Sequence, residues 1–187
     1  KLGAEGSAEG RFFPDTYLFA KGSGDLDILK RAYRHMNNIL LAEWEGREPS
    51  LPYKSPYEAL IMASIVEKET GRPQDRTQVA SVFLNRLRKG MLLQTDPTVI
   101  YGLGEKFDGN LRKRDLLADG PYNTYTRLGL PPTPIAMPGL ASVQAVMHPA
   151  ATEMLYFVAR GDGSSQFSRT LEEHNRAVAK YQLRKEN

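Results

Sequence analysis

Two glutamates at the end of an apolar segment, Glu67 and Glu69, have surroundings suited to acid–base chemistry. They follow residues 59–66, a run in which only Ser64 is polar, and a charge beside so apolar a segment needs a reason. With roughly 100° of rotation per helical residue, Glu67 shares a face with the small side chains of Ala63 and Ser64, whereas Glu69 lies over bulky ones. Small side chains leave room for a ligand, so the sequence predicts Glu67 as the catalytic residue and places Glu69 against packed protein.

An apolar wall disfavours the charged form of a carboxylate, and a carboxyl group kept protonated can act as a general acid in glycosidic cleavage. The alternative is a helix-end carboxylate paired with Lys68 or Arg72. Ordinary glycoside hydrolysis uses two carboxylates that face each other across the bond. Residues two apart on a helix cannot do this, so if Glu67 acts alone the nucleophile must come from the substrate.

Three polar clusters are candidates for binding a sugar chain. Gln94 and Asp96 stand at the start of a short helix, Asn85 lies on a longer one, and residues 122–125 (YNTY) precede a Pro-rich loop. Tyrosine faces suit sugar rings, and amide or hydroxyl groups suit their substituents. Simpler roles stay open, since Asp96 before a proline is a standard helix start and Asn85 and Gln94 fit structural amides.

Composition narrows the remaining chemistry. The 187 residues contain no cysteine and only three widely spaced histidines, and neither a nucleophile elbow nor a phosphate loop occurs. The sequence predicts no metal site and no cofactor. The net charge of +3 is interspersed, and the basic clusters at 86–89 and 112–114 are short and fit helix surfaces, which argues against nucleic acid as a partner.

The elements that must position these residues follow from periodicity and from local signals. Ser55 and Pro56 mark one helix start, Thr170 and Glu173 form a capping box at another, and residues 161–163 (GDG) turn a hairpin. We predict helices at 25–45, 56–70, from 75 or 77 to about 90, 96–101, 111–118, about 140–147 and from 171 onward, and a hairpin of strands 155–159 and 166–168. An aromatic extended segment at 11–19 is expected to join the hairpin in a small sheet. The predicted class is α+β, mostly helical, with a lysozyme-like core around Glu67. We place an N-terminal segment and scaffold helix at 1–50 and a catalytic domain at 51–187.

The order of these strings resembles the YceG-like (MltG) endolytic murein transglycosylases. The similarity runs from about Leu2 to Tyr181, and its motifs are EGRFFPDTY (9–17), ASIVEKET (63–70), VASVFLNR (79–86), LQTDPTVIYG (93–102), YNTY (122–125), GLPP (129–132), FSRT (167–170) and EHNRAV (173–178).

The resemblance implies a lytic reaction on peptidoglycan glycan strands. The residue matching Glu67 would protonate the bond between N-acetylmuramic acid (MurNAc) and N-acetylglucosamine, then accept a proton as a 1,6-anhydro ring closes on MurNAc. One carboxylate suffices because the attacking hydroxyl is tethered. The motif positions expected to line the glycan cleft are Asn85, Gln94, Asp96, Tyr122, Asn123, Thr124 and Tyr125.

The resemblance also implies a place in the cell. It predicts the bacterial envelope, at the periplasmic face of the inner membrane, with a membrane anchor and most of a LysM-like region upstream of Lys1 and with cell-wall synthesis proteins as partners. Three positions depart from the family pattern: Gln166 where a histidine is expected, Thr133 where glycine is usual, and Met137 where a small or polar residue is common. Two rival functions remain, a non-catalytic peptidoglycan-binding module and a two-carboxylate hydrolase that uses Asp96 as its second acid.

Overall fold

The computed structural model describes residues 7–183. Within them the chain forms seven α-helices and one β-hairpin in chain order. The elements are α1 (Asp25–Glu45), α2 (Pro56–Glu69), α3 (Pro73–Arg88), α4 (Asp96–Leu103), a 3₁₀ turn (Gly104–Lys106), α5 (Lys113–Leu117), α6 (Leu140–Met147), β1 (Tyr156–Ala159), β2 (Ser165–Ser168) and α7 (Leu171–Tyr181).

Helix α2 is the central element of the fold. Ser55 caps it by accepting a hydrogen bond from the Glu58 backbone N–H, and Pro56 occupies its first turn. Every residue from Ala59 to Val66 is buried, because α1, α3, α4 and α6 pack around the helix. Such burial on all sides is typical of a core helix. The two ends of α2 are less buried, and its last turn, which carries both glutamates, leaves the core.

The core cluster joins these helices through their apolar side chains. Helix α1 contributes Met36 and Leu40, α3 contributes residues that include Val79 and Phe83, and α6 contributes four residues that include Met147. Phe83 also contacts the hairpin through an edge-to-face arrangement with Phe157, and aromatic pairs of this kind prefer such offset geometries. The same cluster therefore holds the helices and the inner face of the sheet.

The hairpin pairs β1 and β2 antiparallel, with Phe157 opposite Phe167. Its turn contains Gly161 and Gly163, both with positive φ angles (91° and 84°) that favour glycine. Helix α7 follows through the predicted capping box of Thr170 and Glu173, and it packs on both strands. The hairpin and α7 form one unit beside α3.

The N-terminal aromatic segment does not join the sheet, and that part of the prediction was wrong. Residues 11–19 carry no strand pairing. Instead, the Phe13 backbone N–H donates to the Ala32 carbonyl, and the Phe13 ring lies 4.5 Å from that of His35. The exposed face of α1 offered the aromatic rings a packing partner, so the sheet has only two strands.

The mixed α+β class with a dominant helical part is confirmed, and the helix positions agree closely with those predicted. The boundary near residue 50 stays a prediction, although Met36 and Leu40 of α1 belong to the same core cluster as α2. Among the helices of residues 7–183, none is long and apolar enough to cross a bilayer.

Candidate active site

A cleft opens where α2 leaves the core. It consists of two cavities that share Glu69, Ala159 and Ser165 among their lining residues. The first, about 550 Å³, lies against α3, α4, the hairpin and α7, and we call it the aromatic lobe because Tyr125 and Tyr156 line it. The second, about 680 Å³, is lined by residues 69–72, 159 and 161–165, and we call it the hairpin lobe. The two lobes meet at Glu69.

Glu69 is the last residue of α2 and is half-buried. The hydroxyl of Thr95 donates a hydrogen bond to its Oε2 at 2.7 Å. Burial raises the pKa of the Glu69 carboxyl, and the nearby charge of Asp96 raises it further, while the Thr95 hydrogen bond and the Arg86 guanidinium oppose the rise. A carboxyl group with a raised pKa that faces a cleft has the property required of a general acid near neutral pH.

Arg86 supplies a fixed positive charge in the aromatic lobe. This buried α3 side chain donates to the carbonyls of Leu93 (2.8 Å) and Leu155 (2.7 Å). Its guanidinium lies over the Tyr156 ring, 5.1 Å from the ring centre, and burial lowers its pKa. These contacts hold the group in place, so it can stabilise negative charge that develops beside Glu69.

Three of the predicted binding residues lie in this lobe. Gln94 has a left-handed backbone (φ 51°), and its side-chain oxygen accepts a hydrogen bond from Arg86. The Tyr125 hydroxyl donates to Asp96 Oδ1. Burial raises the pKa of Tyr125, and the hydrogen bond to Asp96 adds to this, so the phenol stays protonated. Tyr125, Asp96 and Gln94 line the aromatic lobe beside Glu69.

The two predicted asparagines instead hold backbone in place. Asn85 is buried, and its amide N–H₂ donates to the carbonyls of Thr152 (2.8 Å) and Met154 (3.1 Å), which fixes the approach to β1. Asn123 donates to three carbonyls at the end of α5, those of residues 115, 116 and 118. These bonds satisfy partly buried carbonyls and fix the backbone around them, so both amides act as scaffold for the cleft.

Tyr122 and Thr124 also support the cleft from behind. The Tyr122 ring packs 4.8 Å from that of Tyr101, and its hydroxyl bonds to the hydroxyl of Thr133. Buried Thr124 accepts a hydrogen bond from the Thr95 backbone N–H at 3.1 Å. Neither side chain is among the described residues that line the two lobes. Thr124 thus positions the Glu69 partner Thr95.

Glu67 lies elsewhere, at the contact between α2 and α6. Its Oε2 accepts hydrogen bonds from the Ser142 hydroxyl (2.6 Å) and the Gly139 backbone N–H (3.1 Å). Gly139 is the N-cap of α6, and a helix N-terminus favours a carboxylate. Of the residues described, those lining the lobes include Glu69 but not Glu67. A catalytic role for Glu67 stays a prediction, but the expected open space beside it is occupied by α6.

Sequence reasoning missed three residues of the aromatic lobe. Arg86 was assigned to a helix surface, yet it is buried; its position between Phe83, Leu84 and Leu87 was the available signal. Tyr156 and His174 stack with ring centres 5.3 Å apart, and burial lowers the pKa of His174. Their contact joins a strand to a helix 18 residues away in sequence, so no local pattern predicts it.

The part of the chain that the structure describes offers no set of side chains that could coordinate a metal ion. Within residues 7–183 no three His, Asp or Glu side chains lie close enough together to hold an ion. The polar groups that line the cleft include carboxylates, guanidinium groups, phenols and the His174 imidazole.

Comparison with known proteins places the chain in a family. The model of the YceG-like family matches residues 2–180. A protein of Bacillus subtilis (strain 168), named endolytic murein transglycosylase, is 45% identical over 174 residues, which are 92% of this chain and 48% of that protein. One of the same name from Streptococcus pneumoniae (strain ATCC BAA-255 / R6) is 31% identical, over 96% of this chain and 33% of that protein.

A solved structure supports the same family membership. The crystal structure of a YceG-like protein from Listeria monocytogenes superposes with a TM-score of 0.76 at 40% identity, covering 89% of this chain and 54% of that one. The chain thus spans half or less of the length of the curated relatives it matches. Because the family model covers nearly all of its residues, the chain belongs to the YceG-like family.

Proposed function

We propose that this chain is the catalytic part of an endolytic peptidoglycan lytic transglycosylase. Its relatives carry the name endolytic murein transglycosylase, and its cleft offers a raised-pKa carboxyl group between two lobes. The observation that carries the proposal is the position of Glu69, where burial raises the pKa and both lobes meet. The reaction is cleavage of the bond between MurNAc and N-acetylglucosamine.

In this mechanism the protonated Glu69 donates its proton to the glycosidic oxygen as the bond to the MurNAc anomeric carbon breaks. The C6 hydroxyl of the same MurNAc attacks that carbon, and its proton passes to the Glu69 carboxylate. The products are a 1,6-anhydroMurNAc end and a free sugar hydroxyl, and Glu69 is again protonated. Because the nucleophile is part of the substrate, the ring closure has the advantage of an intramolecular reaction.

The cleft residues have matching tasks in this proposal. The ring of Tyr125 suits the face of a sugar, Gln94 and Asp96 offer polar groups for sugar substituents, and Tyr156, which already contacts His174 and Arg86, supports the wall of the lobe. Arg86 stabilises the carboxylate form of Glu69 after proton transfer. No cofactor takes part in these steps.

The cellular setting belongs to the same proposal. We place the protein in the bacterial cell envelope, at the periplasmic face of the inner membrane, with an anchor upstream of this chain and with cell-wall synthesis proteins as partners. The support is the family membership and the peptidoglycan substrate. Localisation of the full-length protein by fractionation tests it, and recovery in the cytosol would contradict it.

A matched pair of variants tests the choice of catalytic acid. Glu69→Gln should abolish cleavage of purified glycan strands, whereas Glu67→Gln, two residues away on the same helix, should keep activity once its folding is verified. Mass spectrometry of the products reads out both variants. Loss of cleavage only in Glu67→Gln would support the original sequence prediction and sink the assignment to Glu69.

The same product spectra separate the rival functions. A hydrolase that uses Asp96 as a second carboxylate would yield reducing MurNAc ends, and the Asp96 charge does act on Glu69. A binding module would yield no products and would bind strands equally well with glutamine at residue 69. Anhydro ends that disappear in Glu69→Gln support the lytic reaction.

A further inference from the structure

The two lobes of the cleft differ in chemistry. The aromatic lobe presents the ring of Tyr125, which suits the flat face of a sugar. The hairpin lobe has no aromatic ring among the described residues that line it. Its lining consists of three glycines, three hydroxyl side chains and few others, namely Glu69, Thr70, Gly71, Arg72, Ala159, Gly161, Asp162, Gly163, Ser164 and Ser165. A sugar ring has little to stack on there.

The hairpin lobe is also roomy. A Cβ atom added at Gly71 or at Gly163 would meet no atom within 4 Å. The open volume of about 680 Å³ is therefore bordered by backbone and small side chains. Such a space suits a flexible branch with many backbone-like polar groups.

Arg72 gives this lobe a positive charge. Its side chain is 41% exposed and forms a long ion pair, with its Nε 4.0 Å from Asp75 Oδ1, too far for a hydrogen bond. Hydrogen bonds from Ser164 lower the pKa of Asp162, and the Arg72 charge lowers it further. The nearby acids are engaged with the hairpin: Asp75 Oδ2 accepts from the Ser165 backbone N–H at 2.9 Å, and Asp162 Oδ1 accepts from the Ser164 backbone N–H at 2.8 Å. The Arg72 guanidinium can therefore turn toward an anion in the lobe, and guanidinium groups pair well with carboxylates.

We propose that the hairpin lobe binds the peptide stem of peptidoglycan and that Arg72 pairs with a carboxylate of that stem. This inference rests on the proposed function and names a part of its substrate. Where a peptide is attached, the lactyl carboxyl group of MurNAc is neutralised by the amide bond to that peptide, so the sugar chain is uncharged and the anionic groups lie on the peptide branch. Since the cut bond is next to MurNAc, the branch leaves the strand close to Glu69, where the two lobes meet.

Two substrates and four variants test the proposal. The chain is assayed on peptide-bearing glycan strands and on strands of the same length from which an amidase has removed the peptides and whose newly freed lactyl carboxylates have been capped as methylamides. We expect wild type to prefer the peptide-bearing strands. Arg72→Gln should lower kcat/KM on these strands by about five- to tenfold, the effect of losing one charge-assisted hydrogen bond at an exposed site, and should leave stripped strands unaffected.

Lys68→Gln is the matched control, because it removes the same charge nearby from an exposed side chain and should change neither substrate. Gly71→Phe adds bulk to the lobe and should also impair only the peptide-bearing strands. Arg72→Lys should recover part of the lost preference. The proposal would be overturned if Arg72→Gln lowered kcat/KM equally on both substrates or on neither.

A binding measurement separates this inference from the catalytic proposal. Calorimetry of the Glu69→Gln protein should show tighter binding of peptide-bearing than of stripped glycan fragments, and adding Arg72→Gln should remove the difference. If wild type cleaves neither substrate but this preference is present, the catalytic proposal fails and the peptide site stands. Equal affinity for the two fragments refutes the peptide site whatever the catalytic result.

Discussion

Replacing Thr95 with valine removes the hydroxyl that donates to Glu69 Oε2 at 2.7 Å. That hydrogen bond stabilises the charged form of the carboxyl, and it opposes the rise that burial causes in the pKa of Glu69. Without it the pKa of Glu69 rises further. The proposed reaction begins with a protonated acid, so the alkaline limb of the kcat/KM profile should move to higher pH.

The size of the shift follows from the contact. A hydrogen bond to a charged group contributes about 1.5–3 kcal/mol, and the half-buried position of Glu69 favours the lower end. Because about 1.4 kcal/mol corresponds to one pH unit, the limb should move by about one unit. Valine keeps the shape of threonine, and the other Thr95 bonds run through its backbone to Thr124 and Thr98, so the fold should persist.

The assay compares kcat/KM against pH for wild type, Thr95→Val, Thr95→Ser and Ser142→Ala. Serine restores the hydroxyl and should restore the wild-type limb. Ser142→Ala removes the corresponding donor from Glu67, which lies at 2.6 Å, and should leave the limb in place. If the alkaline limb of the kcat/KM profile shifts in Ser142→Ala and stays fixed in Thr95→Val, the assignment of Glu69 is refuted and Glu67 is identified as the acid.

Three further outcomes are expected. Burial raises the pKa of the Glu69 carboxyl, so this group stabilises the fold at acid pH and loses that contribution as the pH rises through its pKa. The Glu69→Gln variant should therefore gain about 2–4 °C in Tm near neutral pH, for about 1 kcal/mol. It should gain nothing in acid. Asn123→Ala leaves three backbone carbonyls without their donor and should lower the free energy of unfolding by about 2–3 kcal/mol in urea titrations. Gly10→Ala should lower Tm, because Gly10 has a φ of 72° and a Cβ there would approach Pro134 to 2.4 Å; an unchanged Tm would contradict that packing.

The elements that the sequence predicted well are those with local signals. Ser55 and Pro56 begin α2, the glycines at 161 and 163 turn the hairpin, and Thr170 with Glu173 opens α7, each as the pattern indicated. These signals act within a few residues, where chain chemistry alone decides the conformation. The extended segment at 11–19 lacked such a signal, since its partner α1 is chosen by tertiary packing.

The choice between the two glutamates could not be made from helix geometry. Helix α2 is buried on all sides, so neither face marks a ligand site by its composition. The small side chains below Glu67 allow close approach of the chain before α6, as shown by the hydrogen bond from the Ile135 backbone N–H to Ser64. The small residues on the Glu67 face thus indicate tight packing against the chain before α6. The open cleft lies instead beside Glu69, at the end of α2.

The meeting of both lobes at Glu69 has a consequence for the size of the fragments. A strand whose sugars lie in the aromatic lobe and whose peptide branch lies in the hairpin lobe needs no free chain end to bind, so it would be cut at interior positions and the average chain length would fall steeply with the first cuts. The viscosity of a strand solution would fall early, while disaccharides would accumulate only late in the digestion. The chain-length distribution of a partial digest thus reports on the shape of the cleft.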